Sequence, residues 1–312
     1  MNNQRIAVID IGTNTTRLLV KDPVTNEDLK RVITITRLGA ELEGSGLLGE
    51  EGISFTLKTI QEYINECEAL GLEKKDRGIF ATAASRNSGN GKEFIDLVSS
   101  QTGCETKIIS GEEEGSYAFA GAISGIKNLD EQCMVFDIGG GSTEFSISEK
   151  DEYEKCAKVI SIPIGSVRIT KRHLKSDPPK PEELSNAISD IRDYLKDVQT
   201  QIGDMTSVKK WIGVAATITT AASIELGIAN FDAKKIHGFI LTRSMAEDIF
   251  RTLATETLSD RVHNPGLEKE RADVIVGGIA IVVSIMRHFD LEEIQVSCTD
   301  LLDGLYLSML SR

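Results

Sequence analysis

Hydrophobic and polar positions along the chain fall into short apolar runs separated by amphipathic stretches. Runs of strand type cover residues 7–10, 17–20, 31–37, 77–82, 105–109, 133–137, 144–147, 155–163, 208–214 and 293–297, with a short one ending at Leu241. Between them the spacing turns helical. Leu57, Ile60, Ile64 and Cys67 mark one face of a helix over 53–70 that stops at Gly71. The same reading predicts helices over 92–101, 112–126, 182–202, 243–258, 274–286 and 301–310. A short helix begins at Gly165, and an Ala/Thr/Ile-rich one follows Val214. Residues 39–52 form a Gly-rich loop, and Asp177-Pro178-Pro179 a rigid turn. Strands alternating with helices predict an α/β fold in which site residues collect at strand ends.

Two of the strand pairs resemble each other. In the second, the apolar run from Cys133 delivers Asp137, turns through Gly139, Gly140, Gly141 and Ser142, and leaves through Thr143 and Glu144. In the first, Asp10 is followed by Gly12, Thr13, Asn14, Thr15, Thr16 and Arg17. Laid over one another, Asp10 matches Asp137, Gly12 matches Gly139, Thr15 matches Ser142, and Arg17 falls on Glu144. Such repetition predicts two related domains that offer their hairpins to a shared cleft. Each turn leaves room for backbone N–H groups to close around an oxyanion. A P-loop would end in Gly-Lys-Ser/Thr and run into a helix; both copies lack the lysine and continue as β-type sequence, so that reading fails.

At 312 residues the chain has room for two cores, and 40% apolar with 27% charged residues is ordinary for a globular protein. No stretch approaches the ~20 apolar residues of a membrane span, and the N-terminus leads into the first hairpin without a signal-peptide layout. Five scattered cysteines, with no CxxC, point to a reducing cytoplasm and away from zinc. The net charge of −13 disfavours nucleic acid. A polyanionic substrate then needs local basic residues or a divalent cation.

Several stretches together carry a resemblance: Asp10 to Asn14, Ala81-Thr82-Ala83-Ala84-Ser85-Arg86, Ser110-Gly111 before three glutamates, Asp137 to Glu144, Ile164-Gly165-Ser166-Val167-Arg168, Asp177-Pro178-Pro179 and Ile236-His237-Gly238. Over essentially its whole length the chain resembles the exopolyphosphatase/guanosine pentaphosphate phosphohydrolase family, within the sugar kinase, actin and Hsp70-type superfamily. That resemblance implies two actin-like, ribonuclease H-like domains, with mixed sheets flanked by helices and an active site in the cleft between them. The implied division is 1–126 and 127–312, with a terminal helix at about 299–312 packing back on the first domain. The chain stops at Arg312 and so matches the short form, without the C-terminal HD-type domain. A long-chain groove is then absent or supplied by a second subunit in a homodimer. Thr15-Thr16-Arg17 departs from the Ser-Phe-His of many members.

The resemblance implies water attack on a terminal phosphoanhydride of inorganic polyphosphate, or of guanosine pentaphosphate, with Mg²⁺. Such chemistry needs an in-line water, a base and cationic partners for the transferring oxygens. Glu114, the last of the glutamate triplet, is the expected general base, while Glu112 and Glu113 complement the helix dipole. Glu144 is the second catalytic carboxylate and, with Asp137 and Asp10, a magnesium ligand, since that ion prefers carboxylate and phosphate oxygens. Thr13, Asn14, Thr15, Gly139, Gly140, Gly141 and Ser142 are expected to bind phosphate, joined by the guanidinium forks of Arg86 and Arg17. For Arg17 an interdomain salt bridge is the rival reading. Arg168, Lys171, Arg172, His173, His237, Arg261 and Arg271 would line a path for a longer anion, or else form solvated faces. Two other functions fit the scaffold: an actin-like ATPase or kinase, and a sensor that binds polyphosphate or an alarmone without turnover.

Overall fold

A computed structural model describes residues 5–126 and 129–311. The strands are β1 (Ile6–Ile11), β2 (Thr15–Lys21), β3 (Asp28–Ile35), β4 (Arg77–Ala81), β5 (Thr106–Ile108), β6 (Cys133–Ile138), β7 (Thr143–Ser148), β8 (Cys156–Ile162), β9 (Lys210–Val214), β10 (Ile240–Thr242) and β11 (Glu293–Val296). They form two mixed sheets, one in the order β3-β2-β1-β4-β5 and the other β10-β11-β9-β6-β7-β8. Read from its other edge, the second sheet repeats the first. An antiparallel meander (β1 to β3, then β6 to β8) is extended on its first strand by parallel neighbours. The extra strand β10 adds an antiparallel edge. This is the two-lobed actin-like architecture expected from the resemblance.

Strand periodicity decides where the aspartates point. In β1, Ala7, Ile9 and Ile11 bury in the outer core of the first lobe with Leu18 and Val20, against the helices Glu50–Ala69 and Gly91–Thr102. Val8 and Leu19 face the other way, into a cluster with Phe80. Asp10 shares that inner face by the two-residue period. In β6, Met134, Phe136 and Ile138 join the outer core of the second lobe, while Cys133 and Val135 face inward. Asp137 follows Val135 inward.

The helices Gly111–Ser124 and Leu301–Leu310 fill the layer between the sheets. Ala118 of the first packs with Leu301, Leu302, Leu305 and Tyr306 on the first sheet. Its Phe119 and Ala122 pack on Val135, Ile212 and Val214 of the second. Close approach demands glycine at the crossing: a Cβ on Gly121 would meet the Asp300 carbonyl oxygen at 1.8 Å, and one on Gly304 the Tyr117 oxygen at the same distance.

Some elements differ from expectation. Residues 83–87, for which no helix was predicted, form the helix Ala83–Asn87. The Gly-rich loop holds a helical turn, Leu42–Ser45. The helix expected to reach 126 ends at Ser124 with Gly125 as its cap. The one expected over 243–258 is Arg243–Thr255, followed by a separate turn, Leu258–Arg261, that the Thr257 side chain caps. Side-chain capping and tertiary contacts overrode periodicity there. The boundary drawn at 126/127 abuts residues 127 and 128, and the terminal helix expected to about 312 includes Arg312; these lie outside the described residues.

Candidate active site

The two hairpins have the same register. Asp10 sits opposite Arg17 in the first and Asp137 opposite Glu144 in the second. Each turn closes with one matching bond, Gly12 N–H to the Thr15 carbonyl at 2.9 Å and Gly139 N–H to the Ser142 carbonyl at 3.0 Å. The turns touch. A Cβ on Gly140 would lie 3.1 Å from Thr13 Cβ, and one on Gly141 2.7 Å from Thr13 Oγ1, so only glycine lets the loops meet this closely.

Between them lies a cavity of about 510 Å³. Asp10, Thr13, Asn14, Thr15, Arg17, Glu114, Asp137, Gly139, Gly140, Gly141 and Ser142, all named from sequence, line it. Among the described residues the N–H groups of Thr13, Asn14, Gly140 and Gly141 meet no acceptor, so they remain free to bind an oxyanion. Of the residues suggested for an anion path, His237 and Arg271 also line the cavity. These and others are engaged: His237 with the Gly125 carbonyl and the Cys298 N–H, Arg271 with Glu268, Arg172 and His173 with Asp190, and Arg261 with Asp177.

Glu144 and Arg86 stand behind that lining. Glu144 is 1% exposed, and its Oε1 accepts from Ser161 Oγ at 2.7 Å. Arg86 donates from Nη1 to Glu114 Oε2 at 2.9 Å and to the Ile109 carbonyl at 2.8 Å, and its far side lines a different cavity with Ser110 and Ser161. The guanidinium assigned to phosphate thus holds the expected base in place. Arg17 is likewise taken up by carboxylates: Nε donates to Asp10 Oδ2 at 2.8 Å and Nη1 to Asp300 Oδ2 at 2.5 Å. Sequence reasoning missed Asp300 and Ser161, which carry no local motif.

Local packing explains why Glu114 lies where it does. Ser110 and Glu113 form a reciprocal cap on the helix Gly111–Ser124, and Glu113 also pairs with Lys107. Gly115, directly after Glu114, lets the helix rest on the second sheet, since a Cβ there would meet Val159 Cγ1 at 2.4 Å and Glu144 Cβ at 3.2 Å.

Carboxylates outnumber cations at this site. Asp10, Glu114, Asp137, Glu144 and Asp300 are all buried; among the described residues Arg17 and Arg86 pair with members of this group, and Arg31, bonded to Asp303, lies near Asp300. Burial lifts the Glu114 carboxyl to about 7, with Arg86 pulling the other way. Burial, and then the charge of Asp300, lifts Asp137 to about 8. Burial, followed by Glu114 and Asp137, holds Glu144 well above the ordinary glutamate value. Asp10 is raised by burial against the opposing pull of Arg17. Desolvation and like charge both favour the protonated forms unless a cation enters. Two buried oxygens, Asp10 Oδ1 and Glu144 Oε2, have no hydrogen-bond partner among the described residues. An all-oxygen set with unpartnered carboxylate atoms suits a hard divalent ion such as Mg²⁺. Among the described residues no three acidic, His or Cys side chains converge on one point, so water and substrate oxygens would complete its shell.

At the cleft mouth, charges cross between lobes. Glu43 pairs with Arg168 at 2.8 Å and Arg172 at 3.3 Å, and Arg37 with Asp273 at 2.9 Å. The Arg168 contact is an ion pair without a well-aimed N–H.

Known proteins resemble this chain over most of its length. A profile of the Ppx/GppA phosphatase family matches residues 3–312. The bifunctional 3-dehydroquinate synthase/phosphatase of Fusobacterium nucleatum is 33% identical over 315 residues, 98% of this chain, which spans about half (46%) of that protein's length. Exopolyphosphatase 2 of Mycobacterium tuberculosis is 30% identical over 321 residues, 98% of each chain. Among solved structures, an exopolyphosphatase-like protein superposes with a TM-score of 0.91 at 26% identity, covering 97% of this chain and 98% of that one. The Ppx/GppA member from Aquifex aeolicus gives 0.80 at 29% identity, covering 99% and 98%. This chain belongs to the Ppx/GppA phosphatase family.

Proposed function

We propose that this protein is an exopolyphosphatase: it hydrolyses the terminal phosphoanhydride of inorganic polyphosphate by direct attack of water and releases orthophosphate. The observation that carries the reading is the meeting of two aspartate-led, glycine-bearing turns over one cavity, with the buried Glu114 on its wall. The free N–H groups of Thr13, Asn14, Gly140 and Gly141 grip phosphate oxygens without adding side-chain bulk. Glu114, lifted to about 7 by burial and oriented by Arg86 Nη1, takes the proton of the attacking water. Asp10 and Asp137, which line the cavity, would hold Mg²⁺ with water and substrate oxygens completing its shell, and the ion would supply positive charge to the transferring oxygens. Glu144, fixed by Ser161, keeps a second acidic group beside Glu114. The five free cysteines suit a cytoplasmic enzyme.

A second substrate has one observation in its favour. Away from the hairpins the cavity runs to Ile228, Ala229 and Phe231, an apolar lining that suits a base, as in guanosine pentaphosphate. Purified protein assayed with tripolyphosphate, long-chain polyphosphate, guanosine pentaphosphate and ATP, each with and without Mg²⁺, separates these readings. Release of phosphate from the polyphosphates, lost in Glu114→Gln, is expected. No release from any polyphosphate with Mg²⁺ or Mn²⁺ would overturn the assignment.

A further inference from the structure

Asp300 lies 283 residues from Arg17 in sequence, yet it completes a chain of bonds that ends at the cavity. Its Oδ1 accepts from Leu302 N–H at 3.0 Å, capping the helix Leu301–Leu310, and its backbone N–H is held by Asp303 Oδ2 at 3.1 Å. That double anchor leaves Oδ2 to accept from Arg17 Nη1 at 2.5 Å. Arg17 in turn donates from Nε to Asp10 Oδ2 at 2.8 Å. The other Asp10 oxygen, Oδ1, is buried and has no hydrogen-bond partner among the described residues, on a residue only 2% exposed that lines the cavity.

We infer that Asp300 is a positioning residue for the divalent-cation site: through Arg17 it aims Asp10 and keeps the hairpin net negative. The inference rests on the reading of this site given above. Charge counting supplies the reason. Asp10 and Arg17 alone cancel, and a neutral pair would not draw a cation. With Asp300 the triad carries one net negative charge, and Arg17 is shared between two acceptors instead of pulling on Asp10 alone. At these distances, out of bulk solvent, a unit of charge changes cation affinity strongly. Arg17 behaves accordingly: burial works against its charge, but Asp300 and then Asp10 outweigh burial and keep the guanidinium ionised. The cap by itself does not require an aspartate, because asparagine caps helices as well. One asparagine oxygen cannot, however, serve both Leu302 N–H and Arg17, and its NH₂ would face a guanidinium donor.

The test uses Asp300→Asn, with Arg17→Met and the double variant, in the full chain. Mn²⁺ is titrated as a spin-active probe for Mg²⁺ at pH 9, where proton competition is small, and phosphate release from tripolyphosphate is measured alongside. In Asp300→Asn we expect the Mn²⁺ Kd to rise about tenfold and kcat to fall by a similar factor. KM should change little, while Tm should fall in the single variant because Arg17 loses a buried partner. Removing the uncancelled cation in the double variant should recover much of the lost Mn²⁺ affinity, which a purely structural role would not produce. Wild-type-like Mn²⁺ binding in Asp300→Asn, or a double variant weaker than the single, would overturn the inference. If the wild type binds Mn²⁺ but hydrolyses no polyphosphate, the proposed function falls and the Mn²⁺ titration still decides the role of Asp300.

Discussion

The two hairpins share a register and a turn bond but differ at one cross-strand position. Opposite Asp10 stands Arg17; opposite Asp137 stands Glu144. The first pair is bonded and neutralised, the second is a buried like-charged pair whose carboxyls are both raised. One duplicated backbone therefore yields two electrostatic environments. In the proposed reaction the first lobe would contribute donors, and the second an acidic wall suited to a cation. The exchange of Arg for Glu at matched positions sets the two hairpins apart electrostatically.

The largest effect should come from Glu114, which lies against both hairpins. Glu114→Gln removes the proton acceptor and should lower kcat for phosphate release by about 10³-fold or more, while the fold persists because glutamine can still accept from Arg86. Neutralising the acidic hairpin comes next. Glu144→Gln makes the second pair less unlike the first and should cost about 10–100-fold in Mg²⁺-dependent activity. If Glu144→Gln instead leaves the Mg²⁺ requirement unchanged, the two hairpins are electrostatically equivalent and the contrast fails.

A smaller effect concerns pH. The raised values of Glu114 (about 7) and Asp137 (about 8) exceed those of the unfolded chain, so the folded protein binds more protons between the two. Their stabilising contribution is complete below the ordinary carboxylate range and is lost as pH rises through 7 and 8. Metal-free protein should therefore show a lower Tm at pH 8.5 than at pH 6, and added Mg²⁺ should restore more Tm at the higher pH. A Tm that rises over that interval without metal would contradict the buried acidic wall. The smallest effect is at the cleft mouth, where Glu43 is partly exposed. Glu43→Gln should cost well under about 1 kcal/mol, and the difference from wild type should shrink as salt is raised.

Much of the fold and of the candidate site was legible because it is written locally. Both hairpins, the α/β alternation and the cavity-lining residues from Asp10 to Arg17 and from Asp137 to Ser142 follow from period-two burial and from turn composition. Glu114 was legible through the family resemblance, and the structure adds the reason: Glu113 is absorbed by the cap at Ser110, while Glu114 is buried and lines the cavity. Partners were harder to read. Arg86 and Arg17 look like phosphate ligands in isolation, but the structure gives them Glu114, Asp10 and Asp300. The short helix Ala83–Asn87 escaped periodicity because five residues are too few to display it.

By itself, then, the sequence determined that two aspartates would leave apolar strands into small-residue turns, because strand alternation and glycine sterics act over a few residues. Only the tertiary structure decided which charge each of those groups would meet. Coulomb forces and hydrogen bonds depend on distance in space, and the layer between the sheets brings Asp300 from the far end of the chain to within 2.5 Å of Arg17.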